Sequence, residues 1–271
     1  PSLKCMSADT GPWRLIAELR AWAERVAWCE WLELSGSLGR GAGDEMSDVD
    51  AGLGVADTVP FEEARDQTAA AVRDFAPVAD SIIQPYGEGI DHVIVQYADG
   101  RQLSLVVFPA SRRRGLPPGA RPLLDRTGVL NEPWTPDGFA ASLGQQREWA
   151  FLAWWGLGDV AKHTRRGNCW RALRSLDEVR ELTWRLYAAS VGVDYPGFGA
   201  VSVENAGLPA PAGLESTLPG TAEPEPILAA ARALARVLEP LSAPHAVGGL
   251  KAITQGRLDY VGDDRSRGSL T

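Results

Sequence analysis

The chain has 271 residues, 45% hydrophobic and 23% charged, an ordinary globular composition with room for one large domain or two modest ones. The net charge of -8 argues against a protein that grips nucleic acid through a broad basic face, though it leaves room for a small local phosphate site. Cys5, Cys29 and Cys169 are widely spaced with no paired pattern, which suits reduced thiols in a cytoplasmic protein and no zinc site. No apolar run approaches the roughly 18 residues of a membrane span, and Pro1 onward shows no signal-peptide pattern.

After an irregular leader, Gly11 to Cys29 carries Leu15, Leu19, Trp22 and Val26 at helical spacing and predicts an amphipathic helix. Trip-points follow quickly. Trp31 to Leu38 is expected as a short strand entering a glycine-rich loop, and Ser47 to Val55 as an alternating strand leaving it. Pro60 signals the start of a helix over Phe61 to Phe75, and Val78 to Gln84 is a strand candidate. His92 to Pro109 is the clearest hairpin, two β-rich runs about Asp99-Gly100, expected as a two-residue turn. The Pro/Gly/Arg-rich stretch from Pro109 to Arg126 is expected to link two domains.

The second half changes character. Phe139 to Lys162 and Cys169 to Ala189 have helical period, the latter with Leu173, Leu176, Val179, Leu182 and Leu186 on one stripe. Residues 192–220 are expected to be a long irregular stretch, which is unusual in a compact domain. Ile227, Ala231, Leu234, Leu238 and Leu241 mark another helix, and the tail from Gly262 is polar. The expected architecture is α+β: a mixed sheet with flanking helices over 1–125, then a helical-bundle domain over 126–271.

Within the glycine-rich segment, Gly36-Ser37 precedes Asp48 and Asp50 by a ten-residue spacer. Residues i and i+2 of a strand share a face, so the two carboxylates lie side by side, about 6–7 Å apart along the backbone. Like charges so close repel unless a cation lies between them, and magnesium favours a few carboxylates plus substrate phosphates. Gly36 lets a phosphate approach the backbone, and Ser37 adds a hydroxyl and an N–H. These are the parts of a metal-dependent phosphoryl- or nucleotidyl-transfer site. The bland alternatives are a polar strand face for the aspartates and a flexible loop for Gly39, Gly41 and Gly43. A Walker A loop is excluded, because its Lys-Ser/Thr is missing.

The segment "GSLGRGAGDEMSDVDAGL", with Arg40, Gly43 and Ser47 inside it, resembles the signature of the DNA polymerase beta-type nucleotidyltransferase superfamily, above all its small-molecule, antibiotic-modifying branch. The motif covers about 20 residues, and the order of an α/β domain before a helical one extends the resemblance loosely. The resemblance implies that Asp48 and Asp50 hold Mg²⁺, that Gly36 and Ser37 bind a nucleoside triphosphate such as ATP, and that Arg40 and Ser47 assist. It implies attack of a small molecule's hydroxyl on the α-phosphate, with release of pyrophosphate. An aminoglycoside-like or lincosamide-like acceptor fits that branch. "KHTRRGNCWRALRSLDEVREL" resembles a stretch of the helical domains of such transferases, so Lys162 is expected to reach the triphosphate across an interdomain cleft, with Arg166 assisting or positioning the next helix.

Many members of the superfamily carry a third carboxylate on the second strand of the hairpin, where this chain has Ser104. Three accounts stay open: Asp91 or Asp99 serves instead; the base comes from the helical domain, with Glu148 and Asp159 as candidates; or a metal site is lost and the protein is a nucleotide-binding or regulatory relative. A transferase acting on protein or tRNA is a further alternative. Arg112, Arg113 and Arg114 are either a solvated linker or a triphosphate contact. Trp149, Trp154, Trp155, Trp170 and Trp184 are expected in the core. Cys169 is expected to be a small buried hydrophobe, and His92, His163 and His245 look isolated, with no metal or catalytic role.

Overall fold

The computed structural model describes residues 11–134 and 140–260. The leader to residue 10 and the tail from Gly262 lie outside them. The chain divides into two compact units, Pro1–Pro136 and Asp137–Thr271.

In the first unit, α1 (Pro12–Arg25), α2 (Gly36–Gly39) and α3 (Phe61–Arg73) accompany six strands: β1 (Cys29–Leu34), β2 (Val49–Val55), β3 (Val78–Gly87), β4 (Ile90–Tyr97), β5 (Gln102–Pro109) and β6 (Arg121–Asp125). They form one sheet in the order β3-β4-β5-β2-β1-β6. Only β2 and β5 run parallel, so the sheet is mixed.

The two faces differ, and the period of two in β4 and β5 produces the difference. Val93, Val95, Leu103, Leu105 and Val107 are fully buried and pack with Leu53 and Val55 of β2, with Leu15, Leu19 and Ala23 of α1 and with Ala64, Ala69 and Val72 of α3. Burying several large aliphatic side chains at roughly 1.5–3 kcal/mol each makes this face the source of the unit's stability. The intervening residues His92, Ile94, Gln96 and Ser104 are half-buried and point to the opposite face. Pairing of Asp50 with Ser104 and of Ser104 with Ile94 carries that polar face across β2, β5 and β4. β2 itself does not alternate as expected. It lies in mid-sheet, and Gly52 and Gly54 are covered by Glu33 and Trp31 of β1.

Several expectations change. β1 ends at Leu34, and Gly36–Gly39 form one helical turn. The hairpin has a three-residue loop, not two: Gly100 N–H donates to the Tyr97 carbonyl, Tyr97 N–H donates to that of Arg101, and Gly100 supplies φ of 93°. The supposed linker from Pro109 to Arg126 contains β6, because Leu32 and Leu34 of β1 offer a free ladder edge on that side. Residues 126–134 also stay with the first unit. Asp125 accepts from the backbone of Gly128 and Leu130, and Leu130 is buried against Trp31 and Ala110.

The second unit is helical: α4 (Leu143–Arg165), α5 (Cys169–Ser190), α6 (Ala200–Asn205), α7 (Pro224–Ser242) and α8 (Gly248–Asp259). Ser142 and Gln145 form a capping box at the start of α4. Trp154 is fully buried among Leu157, Leu176, Val179, Leu234 and Leu238, with its indole N–H on Ser242. The stretch expected to be irregular holds α6 and two 3-10 turns, at Pro196–Phe198 and Leu214–Thr217. The helix α8 has no expected counterpart. Trp155 and Trp170 are exposed, at 57% and 79%, because they lie on the outer faces of α4 and α5. Cys169 is only partly buried.

Candidate active site

Antiparallel pairing of β1 with β2 decides the local geometry. Leu34 pairs with Ala51, and Ser35 N–H donates to the Asp50 carbonyl at 2.8 Å. The chain leaving β1 must therefore turn directly over Asp50. Gly36 makes that turn with φ of 62°, and a Cβ there would lie 2.2 Å from the Asp50 Oδ2. Only glycine combines that backbone with that proximity. The two halves of the motif thus meet at one point.

Ser37 faces the returning loop. Its hydroxyl donates to Ser47 Oγ at 3.0 Å, and Ser47 Oγ in turn donates to Asp44 Oδ1 and accepts from the Asp44 N–H. Ser47 therefore ties the loop that delivers Asp48 to the Gly-Ser turn, a positioning task. Arg40 follows α2, is exposed, and draws Asp50's affinity for a proton downward by its charge.

Asp48 is exposed, and Asp50 is partly buried. Burial raises the Asp50 pKa above the usual carboxylate range, and repulsion by Asp48 raises it further; a hydrogen bond from Ser104 works against both. A carboxylate whose proton affinity is raised by a second carboxylate beside it is a place where a cation is favoured. Among the described residues no group of three or more His, Cys, Asp or Glu converges as a metal cage. The donor set suits a divalent ion that takes its remaining ligands from phosphate and water.

Ser104 stands at the register position directly beside Asp50. It is not alone there. His92, expected to be isolated, lies 2.9 Å from Ser104 Oγ through Nε2. Asp48, His92, Gln96, Gln102 and Ser104 help to line one pocket of about 190 Å³. Sequence reasoning missed His92 because it has no second histidine at ligand spacing, and the one carboxylate beside it in the chain, Asp91, is engaged by Arg65. Only the β4–β5 pairing brings it to Ser104.

The other candidates of the first unit have partners of their own. Asp91 forms an ion pair with Arg65 at 2.9 Å, and Asp99 serves the hairpin turn by accepting from Arg101. Arg113 is neither solvated nor open to a ligand. It pairs with the buried Glu33 at 2.6 Å and lies over the rings of Trp31, Phe108 and Trp134. Arg114 pairs with Glu132 at the surface. In the second unit Lys162 sits in the last turn of α4, paired with Asp159. Glu148 is exposed on the same helix, and Arg166 caps its end.

No family model matches the chain, and no curated protein matches it. Among solved structures it is similar to an aminoglycoside 6-adenyltransferase from Bacillus subtilis, at 13% identity over 90% of this chain and 98% of that one, with a TM-score of 0.41. At so loose an overlap no residue role transfers from one chain to the other.

Proposed function

We propose that the chain is a magnesium-dependent nucleotidyltransferase that moves a nucleoside monophosphate, taken to be AMP from ATP, to a hydroxyl of a small molecule, releasing pyrophosphate. One observation carries this reading: Gly36 is folded against the Asp50 carboxylate, so the Gly-Ser turn and the aspartates form one site. Asp48 and Asp50 would hold magnesium, which when bound neutralises negative charge on the triphosphate. Gly36 lets the turn pass directly over the Asp50 carboxylate, Ser37 and Ser47 keep the turn in shape, and Arg40 adds positive charge beside it. Lys162 is proposed as a further triphosphate contact. A hydroxylated antibiotic of the aminoglycoside or lincosamide kind is the acceptor class that the motif resemblance favours.

The test is incubation with labelled ATP, magnesium and a panel of hydroxylated antibiotics, read as labelled product and pyrophosphate. Transfer is expected for wild type, with a loss of about 10³-fold or more in Asp50→Asn. Transfer that survives Asp50→Asn unchanged removes Asp50 from the mechanism. Ser104 in the place of a third carboxylate favours a second reading, a nucleotide-binding relative without turnover. Calorimetry separates the two: magnesium-dependent ATP binding, with no transfer across the whole panel, supports the second.

A further inference from the structure

We infer that His92, held by Ser104, is the group that takes the acceptor's hydroxyl proton in the reaction proposed above, in the place where a third carboxylate would otherwise stand. This inference rests on that proposed reaction. The geometry supplies it directly. His92 sits on β4, one strand beyond Ser104 on β5, which itself pairs with Asp50 on β2. The imidazole lines the same pocket as Asp48 and Ser104.

The hydrogen bonds also set the imidazole's tautomer. A serine hydroxyl has one proton, and we assign it to the neighbouring Asp50 carboxylate, whose proton affinity Ser104 lowers. Ser104 Oγ can then only accept from His92, so Nε2 carries the ring proton and donates it across the 2.9 Å contact. Nδ1 is left with the free lone pair. The proton of the acceptor hydroxyl passes to Nδ1, the oxygen's electron pair forms the bond to the α-phosphorus, and the bond from that phosphorus to the bridging oxygen breaks, its pair leaving with pyrophosphate. Ser104 is a positioning residue, since it acts by fixing the ring and by orienting Asp50.

The surroundings favour a neutral, proton-accepting ring. Partial burial lowers the His92 pKa, and the Asp50 charge opposes that effect. The other titratable or charged groups facing it are Asp48, the Tyr86 ring packed edge-on at 5.6 Å, and Arg40 acting on Asp50. Asp91, next to His92 in the chain, is turned toward Arg65.

The test compares wild type, His92→Gln, Ser104→Ala and the double variant His92→Gln/Ser104→Asp in the transfer assay, beside calorimetry with ATP and magnesium. His92→Gln is expected to lose about 10²-fold or more in kcat with ATP affinity kept, and to lose the acid limb of the pH profile. The double variant, which restores a carboxylate beside Asp50, is expected to recover part of that loss. Nitrogen NMR of wild type is expected to show Nε2 protonated and Nδ1 bare, a state blurred in Ser104→Ala. If His92→Gln keeps both kcat and the acid limb while Asp50→Asn abolishes transfer, the role of His92 is overturned and the transferase stands. If wild type transfers to no hydroxyl, both fall together.

Discussion

Glu33 and Asp50 stand on neighbouring strands of one sheet face, and burial raises the pKa of each. Their second neighbours differ in sign. Glu33 meets Arg113, whose guanidinium lies in a cage of three aromatic rings, and the pair is nearly sealed, with side chains 3% and 11% exposed. Asp50 meets Asp48, a second acid. The first acid has its counter-charge built into the scaffold. The second is set against its own kind, beside an open turn, and its charge calls for a cation from outside. Two acids on neighbouring strands, one buried and one partly buried, thus separate by their partners into one with a counter-charge in the scaffold and one without, and their residue type says nothing of which is which.

The sharpest way to break that contrast is to strip Glu33 of its partner. Arg113→Met leaves an uncompensated buried carboxylate and is expected to cost about 3–5 kcal/mol in urea unfolding, while Glu33→Gln/Arg113→Met together cost clearly less. Equal costs would mean that the pair is solvated after all. Gly36→Ala comes next. Its methyl group would meet Asp50 Oδ2 and its backbone would be strained, so a stability loss of about 1–3 kcal/mol and a fall of about 10²-fold in transfer are expected. Full activity in that variant would detach the turn from the aspartate.

The smallest effect has the opposite sign. Asp50 holds its proton more tightly in the folded protein than its ordinary value of 3.8, so its contribution to stability is present below that value and is lost as pH rises through the raised one. Asp50→Asn removes this penalty. It is expected to stabilise the metal-free protein near neutral pH, an effect that fades toward pH 3.5, in unfolding curves taken at both. A destabilised variant at neutral pH would show Asp50 to be scaffold like Glu33.

Much of the frame was legible in the chain. The stripes at Leu15 and Leu19 and at Leu176 and Val179 mark faces that are buried, because a helix repeats near every 3.6 residues and a core accepts one side. The hairpin around Gly100 was likewise visible. β6 was not, because "RPLLD" follows a run of prolines, glycines and arginines, and its place in the sheet is decided by the free edge of β1. The exposed Trp155 and Trp170 mark the same limit: indole size suggests burial, but helix orientation decides it.

The sequence alone determined the ingredients of the site, a Gly-Ser turn and two aspartates two residues apart, whereas the strand expected to hold both begins at Val49, just after Asp48. Only the tertiary structure decided what surrounds them. Strand pairing joins residues 50, 92 and 104, and an ion pair joins residues 33 and 113, across distances in the chain that no local pattern spans. A hydrogen bond or an ion pair depends on proximity in space, and here the order of strands in the sheet creates it.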